Sequence, residues 1–209
     1  MRNLVLFGTK AALESPAGKK VLAVALLADV KVSTEILDDE SSQAMVWGGP
    51  PPKSMYLCID GDFKVVMTNS IIRLIASMAP STELLGRTHL EAAQIDSWLS
   101  FLWHSIELPC YILRQAMTFV SSHGKDCLDN VALMSQLESS LGIIETHLMQ
   151  RQDQEHVYFV GELVSLADIS FAVSLKFYGD ELAPFLNRES YLDGWFTTME
   201  RTLQLERIP

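Results

Sequence analysis

Apolar and polar positions along this chain change their period after the first third. Leu4-Val5-Leu6-Phe7 form a short apolar run that stops at Gly8, which predicts a strand closed by a turn residue. Val32, Thr34 and Ile36 alternate with Ser33 and Glu35, the period of two expected of a half-buried strand over 31–37. Between these two runs, Ser15-Pro16 supplies an N-cap and a first helical residue. Val21, Leu22, Val24, Ala25, Leu26 and Leu27 give the helix that follows its apolar face. Two further apolar runs, 55–59 and 63–67, flank Asp60-Gly61-Asp62, a hairpin signal. Thr68 is then a candidate cap for a helix carrying Ile71, Ile72, Leu74 and Ile75. The order is strand, helix, strand, hairpin, helix, as in a thioredoxin-like domain. Residues 38–42 read as a solvated acidic loop, and Gly48-Gly49-Pro50-Pro51-Pro52 as a surface turn or extended loop that cannot continue an element.

After Pro80 the strand signals thin out and helical spacing takes over. Residues 88–120 read as one long helix bent near Pro109, where a helical N–H is lost. Residues 126–150 repeat the helical period through Val131, Met134, Leu137, Leu141, Ile144 and Leu148, and a last helix spans about 191–203. The most tightly specified stretch is Tyr158 through Ile169. Ser165 sits at an N-cap, and Asp168, three residues on, is placed to reach back to the cap N–H as in a capping box. Val164 and Ile169 hold the two positions of a hydrophobic staple. The helix they start is apolar almost all round, so it is expected to be buried. A carboxylate at the head of a buried helix is tolerable only if local hydrogen bonds satisfy it.

That stretch, Gly161-Glu162-Leu163-Val164-Ser165-Leu166-Ala167-Asp168, resembles the Gly-x-x-x-Ser/Thr-x-Ala-Asp motif that opens the central helix of the glutathione transferase C-terminal domain. Glu83-Leu84-Leu85-Gly86 with Glu91-Ala92-Ala93-Gln94-Ile95-Asp96-Ser97-Trp98-Leu99 is similar to the start of that domain, and Gly194-Trp195-Phe196-Thr197-Thr198-Met199 to its last helix. The nearest flavour is the transferase-like domain of elongation factor 1 gamma and of aminoacyl-tRNA synthetases and their tRNA-binding cofactors. The resemblance implies an α/β plus all-α fold. Residues 1–80 would form the thioredoxin-like domain, 81–87 a linker, and 88–209 an all-helical domain.

The resemblance also implies where glutathione would bind. Transferases of this type place a hydroxyl or thiol near the end of the first strand to stabilise the glutathione thiolate. A cis-proline opens their third strand, and a Glu/Gln-Ser pair starts their third helix. Aligned on Asp60-Gly61-Asp62, Tyr56 stands at the proline and Met67-Thr68 at the Glu/Gln-Ser pair, with Asn69-Ser70 reached by a slip of one or two residues. Met67 cannot accept a strong hydrogen bond from an ammonium group. A cis peptide before Tyr56 would cost about 2.5–4 kcal/mol, so a rebuilt turn is expected. Ser15 is the best catalytic candidate, set against the commoner role of a plain N-cap, and Thr9 is weaker. The first strand holds no Tyr.

Charge changes the picture of partners. The 209 residues carry a formal net charge of −10, with 48% apolar residues. Such a surface repels phosphates, so direct nucleic acid binding is not expected, and no run is long enough to span a bilayer. Cys58, Cys110 and Cys127 are odd in number and widely spaced, which indicates neither a disulfide framework nor a zinc site. The five histidines, His89, His104, His123, His147 and His156, share no metal-ligand spacing. A reducing, cytoplasmic setting follows. The expected function is a non-catalytic interaction module, without cofactor, that assembles components of the translation machinery. Its partners would be a second copy, other transferase-like domains, aminoacyl-tRNA synthetases or elongation factor subunits. Interface candidates are Arg73 and Trp98 on the helices after the hairpin and Trp195 and Arg201, with Glu200 and Arg207, on the last helix. The alternative is a glutathione-dependent transferase that uses Ser15.

Overall fold

The computed structural model describes residues 3–37, 55–123, 131–186 and 190–204, with the side chains of 117–123 excepted. The 38–42 and 48–52 loops, Cys127 and Arg207 fall outside the described residues.

Four strands form one mixed sheet in the order β2-β1-β3-β4. The central strand β1 (Leu4–Gly8) runs parallel to β2 (Ser33–Ile36) and antiparallel to β3 (Met55–Ile59), which pairs with β4 (Phe63–Val65). A parallel pair needs a crossover element, here α1 (Lys10–Glu14) and α2 (Pro16–Leu27). The short α1 is absent from the sequence expectation. Its cap is Thr9, whose Oγ1 accepts from the Ala12 N–H at 3.2 Å. The β3–β4 hairpin turns at Asp60 and Gly61, with φ of 53° and 84°. Asp60 is also tied to Asn3 by a backbone bond of 2.8 Å and by its carboxylate, which accepts the Asn3 N–H at 2.8 Å. Helix α3 (Thr68–Ser77) follows, packed against α2. Its N-cap is Met67 rather than Thr68, which is already helical.

A 3-10 turn at Pro80–Thr82 leads into the helical part. Helix α4 (His89–Leu102) continues through a π turn at Trp103–Glu107 into α5 (Leu108–His123). The bend expected near Pro109 therefore takes the form of one wide turn. The Leu108 N–H reaches back five residues to the Trp103 carbonyl, and Pro109 has no N–H to restore the regular ladder. Helices α6 (Val131–Asp153), α7 (Leu166–Phe177), α8 (Gly179–Leu182) and α9 (Tyr191–Leu203) complete the fold. Helix α7 is buried from Leu166 through Leu175 and touches α2, α4, α8 and α9, so one apolar core runs through both parts. The architecture is a thioredoxin-like part followed by an all-helical part. No helix among the described residues is long and apolar enough to cross a membrane.

Candidate functional site

The end of β1 and the start of α2 place Ser15 where a catalytic hydroxyl would be sought. Its backbone caps α2, but its side chain makes no cap bond. The hydroxyl instead donates to the Ala12 carbonyl at 2.6 Å, which closes α1. The reason is local: α1 folds back over the first turn of α2. A Cβ at Gly18 would lie 2.2 Å from the Leu13 carbonyl oxygen, so only glycine permits this approach.

Tyr56 is near the start of β3, paired with β1 and just short of the β4 register, which begins at Leu57. Residue 56 faces Phe7 across the β1–β3 ladder, and the rings stack at 5.1 Å. The Lys64 ammonium lies 4.9 Å from the Tyr56 ring centroid. Burial, then the neighbouring Cys58 and Glu35, push the Tyr56 phenol above its ordinary value. No described peptide bond is cis. Met67 is 62% exposed with φ 69° and ψ 123°, a conformation that costs a side-chain-bearing residue energy. The thioether supplies no strong acceptor at the head of α3, and Thr68 follows it as the first helical residue.

The capping motif is built as its spacing suggests, with one addition. Asp168 is fully buried. Its Oδ2 accepts from the Ser165 N–H at 2.9 Å and from the Ser165 hydroxyl at 2.7 Å, in a closed capping box. Its Oδ1 accepts from the Phe159 N–H at 2.9 Å, which pins the approach loop to the helix start. Burial raises the Asp168 carboxyl above the usual range despite these bonds, and the Trp195 indole adds the weakest opposing pull without reaching hydrogen-bond geometry. Arg151 holds the same loop from outside, donating to the Tyr158 carbonyl at 2.9 Å and to the Gly161 carbonyl. The Leu166 N–H bonds to the Leu84 carbonyl at 2.9 Å, joining the loop to the segment after α3.

The interface candidates separate. Arg73 pairs with Asp96, linking α3 to α4. Trp98 is half-buried amid Phe101, His147, Phe159 and Phe171. Trp195 is 5% exposed, edge-on to Phe159 at 4.9 Å, so it is a core residue rather than an outer contact. Arg201 is exposed in the last turn of α9, where Glu200 pairs with Lys176 at 3.6 Å.

Sequence reasoning missed the buried polar groups between the two parts. Lys20 of α2 and Ser174 of α7 both donate to the same oxygen of Glu107 in the π turn. Burial lowers the Lys20 pKa, against the pull of Glu107. Nearby, Arg114 forks onto Glu181 at 2.5 and 2.6 Å and stacks over Phe177 and Tyr178. Burial alone would raise the Glu181 carboxyl, but the Arg114 bonds and charge prevail and hold it below the usual range. Cys110, beside this group, has its thiol pushed up to about 12, mainly by burial, and is inert. No group of residues able to hold a metal ion occurs among the described residues.

Comparison with known proteins follows the same lines. No protein-family model matches the chain. It is 30% identical over 151 residues to elongation factor 1-gamma of Rattus norvegicus, covering 71% of this chain and 32% of that protein. It is 27% identical over 143 residues to glutathione S-transferase F10 of Arabidopsis thaliana, covering 66% of this chain and 64% of that one. The chain carries a glutathione transferase-like domain of the elongation factor 1-gamma type. Among solved structures, Ure2p in complex with S-hexylglutathione matches this transferase-like domain with a TM-score of 0.78, covering 99% of this chain and 97% of that chain at 18% identity. At that identity the likeness speaks for the fold. The transferase-like domain spans about a third of the elongation factor and just under two thirds of the plant transferase.

Proposed function

We propose that this transferase-like domain is a non-catalytic protein–protein interaction module that assembles components of the translation machinery. The observation that carries the reading is the Ser15 hydroxyl committed to the Ala12 carbonyl at 2.6 Å, beneath a helix that closes over the start of α2. A thiolate needs a free donor at that place. Tyr56 in the position of a proline and Met67 in that of a carboxylate or amide support the same conclusion. Similarity to elongation factor 1-gamma supports the translation setting. The partners in this reading are a second copy, other transferase-like domains, or subunits of an elongation factor or aminoacyl-tRNA synthetase complex in the cytoplasm. The acidic surface argues against nucleic acid as a direct partner.

Similarity to a plant glutathione S-transferase favours a second reading, a glutathione-dependent transferase using Ser15. Calorimetric titration with glutathione and turnover of chlorodinitrobenzene separate the two. The module reading expects no saturable heat, no turnover above buffer, and co-purification with elongation factor or synthetase subunits. Saturable binding with turnover that disappears in Ser15→Ala establishes the enzyme instead.

A further inference from the structure

A cavity of about 560 Å³ lies between the C-terminal end of α6, the turn after it and the start of α9. Its described lining residues all belong to the helical part, and none of them lies in the β1–α2–α3 region described above. Leu148, Val157, Tyr191 and Trp195 give it apolar and aromatic walls. Its polar lining is mixed: the Gln152 and His156 side chains and the Trp195 indole lie in it beside one acidic residue. Glu155 contributes a carboxylate, held on a turn closed by its own N–H to the Gln152 carbonyl at 2.9 Å. The Ser190 and Thr198 hydroxyls also line it, and Thr198 already donates its proton to the Gly194 carbonyl at 3.0 Å. Among its described lining residues none is lysine or arginine, and Glu155 is the one acidic group.

The positive end of α9 does not reverse this balance. Its first N–H groups, on Tyr191 and Leu192, are taken by the Glu145 carboxylate at 2.7 and 2.9 Å, and that of Asp193 by the Ser190 hydroxyl at 3.1 Å. The nearby Arg151 guanidinium is turned to the carbonyls of Tyr158 and Gly161. A carboxylate beside aromatic and aliphatic walls suits a cation on an apolar stem, and a chain of net charge −10 draws such groups in.

We propose that this cavity receives a basic side chain, a guanidinium or ammonium on its alkyl stem, presented by a protein partner. The proposal rests on the interaction-module reading for the source of the cation, and on the cavity alone for its chemistry. The test uses the 209-residue protein and ¹⁵N–¹H spectra that follow the Trp195 indole and the Gly194 amide. The probes are acetyl-Gly-Arg-Gly-amide, the same tripeptide with citrulline for arginine, and benzylamine.

The arginine peptide is expected to shift both signals in a saturable way, and the neutral citrulline peptide to bind about fivefold more weakly. Glu155→Gln is expected to remove that difference. A Cβ at Gly194 meets nothing within 4 Å, so Gly194→Leu keeps the helix, fills the cavity and abolishes the shift of the Trp195 indole. Equal binding of the two peptides, or a Trp195 indole shift that persists in Gly194→Leu, overturns the proposal. Absence of any shift by the arginine peptide overturns it as well. Binding of benzylamine without the arginine peptide assigns the cavity to small amines and removes the protein partner. Peptide binding without co-purifying translation factors leaves the cavity standing and defeats the wider module reading.

Discussion

Lys20 on α2 and Glu107 in the π turn form an ion pair with side chains only 5% and 8% exposed, and it crosses from the sheet-bearing part to the helical part. Such a pair contributes little net stability, because desolvation of two charges offsets their attraction, yet removing one partner strands the other. Lys20→Met is expected to cost about 3–5 kcal/mol in urea denaturation. Adding Glu107→Leu to it should restore most of the loss, since Ser174 can turn its hydroxyl to its own helix. If the double variant is as unstable as the single one, the pair is not the cause.

Gly18 and Leu13 make a second test, of backbone rather than charge. The 2.2 Å approach of the Leu13 carbonyl to a Cβ at 18 involves main chain that cannot rotate away. Gly18→Ala must push α1 off α2, at a cost of about 1–3 kcal/mol or more. Gly142, in α6, has open space at the same position, so Gly142→Ala should instead stabilise by up to about 1 kcal/mol. Similar effects at the two sites, measured by thermal unfolding, would show that α1 does not close over α2 in solution.

Local chemistry made some features legible and distance hid others. The Asp60-Gly61-Asp62 turn and the Ser165–Asp168 capping box lie within a few residues, so their residue types announce them. Pro109 announced a bend but not its form, because a π turn depends on how the neighbouring helices accept the extra residue. The third partner of Asp168, the Phe159 N–H, is nine residues away and carries no residue signature, since any amino acid but proline supplies it. Lys20 and Glu107 are 87 residues apart, and each alone reads as a solvated charge. At the candidate site the sequence showed which residues were missing. It did not show that α1 would cover the head of α2, because a five-residue helix is too short to leave a periodic pattern.

Met67 offers a prediction at the head of α3. It holds φ 69° and ψ 123° with its side chain 62% exposed, so the strain is not compensated by packing. Met67→Gly is expected to raise stability by about 1 kcal/mol, the relief of strain outweighing the added freedom of the unfolded chain. Met67→Ala keeps the strain and should show no gain. Equal values for the two variants in urea denaturation would mean that residue 67 does not hold this conformation in solution.

His147 sets a pH dependence whose sign follows from its surroundings. Its ring lies 4.5 Å from that of Trp98, and Nε2 donates to the Phe159 carbonyl at 2.9 Å. Burial lowers its pKa most, the Phe159 carbonyl resists, and Arg151 adds to the lowering. The folded chain therefore binds fewer protons at this site than the unfolded chain just below about pH 6.5. Stability from this group is complete above that pH and is lost as pH falls through the folded value. Asp168, raised by burial, acts in the opposite sense and is the same in the wild type and in a His147 variant. Between about pH 7 and 5, the urea midpoint of the wild type should fall more steeply than that of His147→Gln, whose amide can still donate to Phe159. Parallel curves would remove His147 as the source of acid sensitivity.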